Sequence, residues 1–310
     1  MKKITSPATS ALLALLILSA AGCTKSSSSS SNNTGPGPNG GAALTEEVLV
    51  GKNSANATLD SIVTQYQYNS AKYVSQVTQT STAQDSGESV ITTLTYNLVY
   101  SGNLISSLTG TYTQAVTLGN TVYNTSSQMS ATFQASGGQI VSFIQTGTTT
   151  GTPFLPPTII NGNDSAVLTY DGSGNVLTYD IYLKGSMDPT YLPYSFQTYT
   201  YSGGNVASDA NVIYVGGFPI DTFTTVNQFN NKVSAAPLYL FPGIAVSLAN
   251  DLTQSTMTET GLNPNVVVSS YATTYNAANQ PVSSIVTLTT TPANPSPSAP
   301  ATELISYTYQ

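Results

Sequence analysis

The chain has 310 residues, a formal net charge of −7 and only 7% charged residues, and it contains no His, no Arg and no Trp. Without His there is no Ser-His-Asp triad and no imidazole ligand for zinc, and without Arg the two-pronged capture of phosphate or carboxylate is lost. Beyond residue 43, four lysines (Lys52, Lys72, Lys184, Lys232) face fourteen acids, a balance that argues against nucleic acid as a partner.

The first element is a leader. Lys2 and Lys3 precede the apolar run Ala11–Leu18, and Ser19-Ala20-Ala21-Gly22-Cys23 follows. Charge, apolar stretch and small residues in that order mark residues 1–22 as a secretory signal peptide, and the run is too short to span a bilayer as a helix. The small residues ending in the single cysteine resemble the lipobox of bacterial lipoproteins, with Ala20 where many lipoboxes carry Leu. That resemblance implies that the Cys23 sulfur is acylated and becomes the mature N-terminus. The membrane is then a partner through acyl chains such as palmitate, and no thiol is left for catalysis. Residues 23–43 continue through Ser26–Ser31 and a Gly/Pro/Asn stretch that cannot bury apolar area, so they read as a disordered tether.

Residues 44–310 read as one β domain built from a repeat. Tyr96-Asn-Leu-Val-Tyr100-Ser-Gly-Asn103-Leu-Ile-Ser106 is one copy, Leu168-Thr-Tyr170-Asp-Gly-Ser-Gly-Asn175-Val-Leu-Thr178 a second and Tyr199-Thr-Tyr201-Ser-Gly-Gly-Asn205-Val-Ala-Ser208 a third. Weaker copies place further anchors at Tyr68, Phe133, Phe229, Tyr275 and Tyr309. The anchors 68, 100, 133, 170, 201, 229, 275 and 309 recur 28 to 46 residues apart, an interval that marks one supersecondary unit used several times. Each copy reads as a β-hairpin: an alternating strand, a Gly/Asn turn that supplies positive φ, and a return strand rich in β-branched residues. Gly102-Asn103, Gly174-Asn175 and Gly204-Asn205 are the expected tight turns. Thr/Ser/Pro/Gly-rich stretches at 81–89, 145–164, 242–265 and 290–302 read as long connections at the other end. The expectation is an all-β, antiparallel up-and-down meander of roughly 14–16 strands, either a strongly curved sheet or a closed barrel, because open sheets rarely exceed about 10 strands.

A lipobox, a Ser-rich tether and Tyr-(Asp/Asn/Ser)-Gly-Asn hairpins resemble uncharacterised lipoproteins of the Bacteroidetes, some with a domain of unknown function described as a porin-like β-barrel. The hairpins also resemble, distantly, the tyrosine–aspartate repeats of bacterial surface and toxin-shell proteins. The first resemblance implies the cell outer membrane. Surface-exported members commonly carry acids just after the cysteine, and Thr24-Lys25-Ser26 has none, which favours the periplasmic face.

Chemistry-bearing groups are sparse. Asp171-Gly-Ser-Gly-Asn175 offers oxygens at alternate positions, but Tyr182 stands where a calcium loop needs its bidentate Glu, and a hairpin turn accounts for the segment. Asn161-Gly-Asn-Asp164 is a weaker version. Two carboxylates suffice for glycoside hydrolysis, and Asp171, Asp180, Asp188, Asp209 and Asp221 are scattered candidates. Tyr191, Tyr194, Phe196, Tyr199 and Tyr201 form the densest aromatic cluster and the first place to seek a ligand. Asp60-Ser61-Ile62 and Asp164-Ser165-Ala166 resemble acceptor sites of Bacteroidetes O-glycosylation. No metal or cofactor is expected. The leading expectation is a lipid-anchored, non-catalytic binding or structural module with a glycan ligand. The alternatives are a carrier sheltering an apolar ligand in a half-open barrel and a two-carboxylate glycoside hydrolase.

Overall fold

The computed structural model describes residues 18–19, 43–52, 58–71, 73–85, 88–151, 163–184, 190–233, 238–241, 244–246, 250–261, 264–291 and 302–309. Cys23, the tether and Asp188 lie outside them. The strands of the domain are β1 (Leu44–Lys52), β2 (Thr58–Tyr68), β3 (Val74–Asp85), β4 (Glu88–Ser101), β5 (Leu104–Leu118), β6 (Thr121–Ser136), β7 (Gln139–Gly151), β8 (Asn163–Tyr170), β9 (Val176–Lys184), β10 (Leu192–Ser202), β11 (Asn205–Val215), β12 (Phe218–Val233), β13 (Asn250–Thr260), β14 (Asn265–Tyr275), β15 (Pro281–Thr291) and β16 (Thr302–Tyr309). Each pairs antiparallel with its chain neighbours, and β16 returns to β1 from Thr302↔Lys52 to Tyr309↔Leu44, so the sixteen strands close. The fold is a closed up-and-down barrel, and the open curved sheet is ruled out. No helix occurs among the described residues.

Alternation decides which face is which. In β5, Leu108, Tyr112, Gln114 and Val116 are buried, while Thr109, Thr111 and Thr113 are exposed. In β6, Ser127, Met129, Ala131 and Phe133 are buried, and Ser126, Gln128, Ser130, Thr132 and Gln134 are exposed. A closed barrel can bury only its lumen, so the apolar set points inward and the hydroxyl and amide set forms the outer wall. A bilayer-spanning barrel needs the reverse, an apolar outer band about 25 Å tall. The outward faces of β5 and β6 carry no such band.

The repeat turns lie at one end, the tyrosine rim. Gly102 has φ 64°, Gly174 has φ 84°, and Gly203 and Gly204 have φ 59° and 80°, as tight hairpins require. Close to these turns the register slips by one residue. Gln67↔Gln76 is followed by Tyr68↔Val74, Val99↔Ser107 by Tyr100↔Ile105, and Thr200↔Ser208 by Tyr201↔Val206. Ser75, Ser106 and Ala207 are thus the extra residues of β-bulges, and Val141, Leu177 and Val282 hold the same place in three further hairpins. A bulge bends and twists its strand, and this one recurs around the rim of a barrel.

Four of the repeat tyrosines then reach to the hairpin before them, while Tyr275 donates to the Asp251 carboxylate. The Tyr68 hydroxyl donates to Leu44 O at 2.7 Å, Tyr100 to Val74 O at 3.0 Å, Tyr170 to Ile140 O at 2.6 Å and Tyr201 to Val176 O at 2.9 Å. Where Phe229 replaces tyrosine, the Asn227 side-chain amide donates to Val206 O at 3.1 Å instead. In the hairpin β6–β7 the residue opposite Ile140 is Ala135, so the expected anchor Phe133 sits two residues early and faces Phe143. Apolar side chains including Leu98, Ile105, Leu108, Phe133, Phe143, Tyr179 and Val206 form one buried cluster inside the barrel.

Two expectations need correction. Much of what is described in the stretches at 81–89, 145–164 and 242–265 is strand: 81–85 and 88–89 belong to β3 and β4, β7 runs to Gly151, β8 starts at Asn163 and β13 occupies 250–260, while 152–162 lie outside the described residues. Thr and Ser suit an exposed wall, and Thr is β-branched, so a polar run here pairs rather than loops. Tight turns also occur at the far rim, at Gly119-Asn120 and Gly216-Gly217. Outside the barrel, Leu238–Phe241 and Ile244–Val246 form a hairpin that is extended to three strands by Leu18–Ser19.

Candidate functional site

The five aromatics singled out in the sequence are divided by the wall of the barrel. β10 alternates, so Ser195 and Tyr199 point into the lumen, where both are buried, and Tyr201 follows on the same side with its hydroxyl on Val176 O. The Tyr199 hydroxyl donates to Gln197 Oε1. Burial pushes the Tyr199 and Tyr201 phenols well above the usual tyrosine range. These two are structural. Phe196 faces the other way, onto the outer wall, and Tyr191 and Tyr194 are exposed near it at the far rim.

The strand register supplies two partners that the sequence cluster lacked. Phe196 lies opposite Asp180 of β9 and Val212 of β11, which brings Tyr182 and Tyr214 to its flanks. The ring centroids of Tyr182 and Phe196 are 5.4 Å apart, and those of Phe196 and Tyr214 are 4.8 Å apart, with tilts of 59° and 51°. Lys184 Nζ stands 5.5 Å from the centre of the Tyr191 ring, a cation–π contact at the end of β9. Phe218, at the tip of the Gly216-Gly217 turn, is 74% exposed. The result is an aromatic row across β9, β10 and β11, on a wall that elsewhere carries Thr, Ser and Gln together with single exposed aliphatics such as Ile91, Ile144, Val226 and Ile285. Tyr182, Phe196 and Tyr214 are half-buried against one another, with Tyr191, Tyr194 and Phe218 exposed around them, and outward aromatic clusters of this kind mark contact surfaces. Sequence order hides it because the three rings come from three strands; the alternation of β10 would have separated Phe196 from Tyr199 and Tyr201.

The carboxylates do not gather around it. Asp171 caps its own turn: its oxygens accept from the backbone N–H groups of Ser173 and Asn175 and from the Asn175 side-chain amide, each at 2.8 Å. The Asn175 amide holds its carboxyl below the usual range. Asp180 is on the outer wall beside Phe196, whereas Asp209, opposite Tyr199, points into the lumen, and Asp221 is buried at the far rim. Inward carboxylates also come from Glu47, Asp60, Asp164 and Glu303. Burial raises Asp164 and Asp209 to about 6. Glu303 and Asp60 flank Gly51 across the β16–β1–β2 seam, and a Cβ on Gly51 would collide with Asp60 Oδ1, so only glycine admits that carboxylate. Burial raises both groups; the Asp60 charge adds to the rise at Glu303, and a backbone hydrogen bond from Gly51 moderates the rise at Asp60. The described lysines Lys52, Lys184 and Lys232 all stand at or near strand ends. No group of three metal-ligating side chains occurs among the described residues. Ser61 and Ser165 both stand on the outer wall, facing away from the lumen side of Asp60 and Asp164.

No family model matches this chain, and no curated protein does. Among solved structures, the chain is similar to porin-like proteins. One, from Bacteroides uniformis, is 14% identical with a TM-score of 0.48, over 86% of this chain and 98% of that chain. Another, from Bacteroides vulgatus, is 10% identical with a TM-score of 0.39, over 87% of this chain and 99% of that chain.

Proposed function

We propose that this barrel is a non-catalytic glycan-binding module of the cell envelope, held by acyl chains on Cys23 at the periplasmic face of the outer membrane. The observation that carries the binding part is the row Tyr182–Phe196–Tyr214 on a hydroxyl-rich outer wall. Sugar rings present apolar C–H faces and equatorial hydroxyls. Aromatic faces take the first, and flanking groups such as Asp180, opposite Phe196, take the second. The outward faces of β5 and β6, which carry no apolar band, support attachment through lipid rather than through the strands. The carrier reading is weaker, because the inward apolar side chains are used up against one another: Leu108 and Val206 are essentially fully buried in one cluster. The hydrolase reading is weaker too, since Asp171, Asp180 and Asp209 belong to a turn, the outer wall and the lumen.

The test is a glycan array probed with the wild-type domain and with Phe196→Ala and Tyr214→Ala. Binding to a neutral glycan should fall at least tenfold in each variant, with the thermal midpoint nearly unchanged because these side chains face outward. Retained binding in both variants would refute the aromatic row as the site.

A further inference from the structure

The barrel closes where β16 meets β1, and the far-rim half of that seam carries two carboxyls on its lumen face. Glu303 of β16 and Asp60 of β2 stand on either side of Gly51 in β1, in the register Glu303↔Gly51↔Asp60. Gly51 is buried, and Asp60 Oδ1 occupies the space where any other residue would place its Cβ. That oxygen is buried without a hydrogen-bond partner, although a backbone hydrogen bond from Gly51 serves the carboxyl group. β1 thus sets no side chain between the two acids.

The surroundings supply no counter-charge among the described residues of the lumen face. Val286 of β15 lies opposite Glu303, and Ala83 of β3 lies opposite Asp60. Tyr271 of β14 feels the Glu303 charge, and Glu47 and Asp251 lie further along the lumen, around Tyr307. Asp85 and Glu88 pair at the far-rim end of β3 and β4. Lys52 follows Gly51 and therefore stands on the opposite face of β1. Burial is the main penalty on ionising either carboxyl, and the Asp60 charge adds to it at Glu303. An ionised Glu303 is relieved by reaching water. The ladder that resists this is short: β16 pairs with β15 only from Ser283↔Ser306 to Thr287↔Thr302, and Glu303 stands one residue from its far-rim end.

We propose that the far-rim end of β16 is a pH-dependent side gate of the lumen, held shut while Asp60 or Glu303 carries a proton and released from β15 when both are ionised. The sign follows from burial. Both carboxyls bind their protons more tightly in the closed barrel than their ordinary values of 3.8 and 4.5 allow, so closure is complete below those values and is lost as pH rises through the raised ones. The gate depends neither on the outer aromatic row nor on the lipid anchor.

Amide hydrogen exchange of the intact protein, read by mass spectrometry at pH 4.5 and pH 7.5 and corrected for the chemical exchange rate, tests the gate. Protection of Thr302–Ser306 should be roughly tenfold or more lower at pH 7.5, since each pH unit above a raised value shifts the linked equilibrium by about tenfold. Peptides from β5 and β6 should keep their protection. Glu303→Gln and Asp60→Asn, each of which leaves one permanently neutral group beside Gly51, should protect β16 equally at both pH values. Wild-type β16 that is equally protected at pH 4.5 and pH 7.5 would overturn the gate. Loss of protection in β16 and β5 together would overturn it as well, because the whole barrel would then be opening. An unaltered pH dependence in both variants would assign the effect to other groups and sink the proposal.

Discussion

At the scale of single residues, two kinds of position hold the barrel in register. One is the tyrosine hydroxyl that ties a hairpin to the one before it at Tyr68, Tyr100, Tyr170 and Tyr201; a net worth of about 0.5–1.5 kcal/mol per bond makes the set significant even though each member is modest. The other is the turn glycine. Gly204 has φ 80° next to Gly203 at φ 59°, a pair of left-handed residues that only a glycine-rich turn accepts readily. Gly204→Val forces a β-branched side chain into that region, at a cost of about 1–3 kcal/mol. For a domain of this size each kcal/mol lowers the melting midpoint by about 2–4 °C, so the expected loss is visible in replicate thermal scans. An unchanged midpoint would mean that the turn relaxes to another geometry. A neutral comparison cannot come from Thr149, in the stretch expected to be a connection, because it pairs with Ser127 inside β7. Ser173, exposed in the Asp171 turn, serves better.

At the scale of the element, the recurring bulge is the informative unit. In β5 the inward residues are Ile105 and then Leu108, three apart, because Ser106 is the extra residue. Deleting Ser106 must flip the rest of β5, turning Leu108, Tyr112 and Val116 outward and Thr109, Thr111 and Thr113 inward. That variant should lose the cooperative unfolding transition in urea, whereas Ser106→Ala should cost no more than about 1 kcal/mol, the worth of its hydroxyl bond to Val99 O. Cooperative, wild-type-like unfolding of the deletion would show that the bulge is dispensable. The repeat and its turns were legible in the sequence because Tyr, Gly and Asn are local signals. The bulge left a trace as well, in apolar pairs spaced by three: Val74 and Val77, Ile140 and Phe143, Val176 and Tyr179. Closure was legible as one of two alternatives, from the number of strands, and the choice between them depends on how Tyr309 meets Leu44 across the length of the chain. The aromatic row was legible only in part: Phe196 was visible, but Tyr182 and Tyr214 join it through register. The far-rim turns were missed because Gly119-Asn120 lacks the tyrosine that announces the others.

At the scale of the whole molecule, the lumen is acidic and the described cations stand at or near the ends of strands. Asp164 and Asp209 titrate near 6 in the folded barrel, against an ordinary value of 3.8, because burial disfavours their charged forms. A carboxyl with a raised folded value binds its proton more tightly folded than unfolded. Its stabilising contribution is therefore complete below about pH 4 and is lost as pH rises toward and through 6. The barrel should melt higher at pH 4.5 than at pH 7.5 at constant ionic strength, and the double variant Asp164→Asn/Asp209→Asn should narrow the gap. A higher midpoint at pH 7.5 would mean that these carboxylates are ionised and compensated within the lumen.

The pairing of β16 with β1 places the first and last strands side by side, with Leu44 next to Tyr309 at one rim. In such a ring of staves the starting stave is a matter of convention. Joining the two ends by a short peptide and opening the ring between Gly216 and Gly217 would leave all the staves of the barrel in place while moving the entry point to the opposite rim. A lipid attached there would hold the molecule upside down, with its aromatic row toward the leaflet and its tyrosine rim toward solution. With such an anchor, orientation would be a property of where the chain enters, separable from the barrel itself.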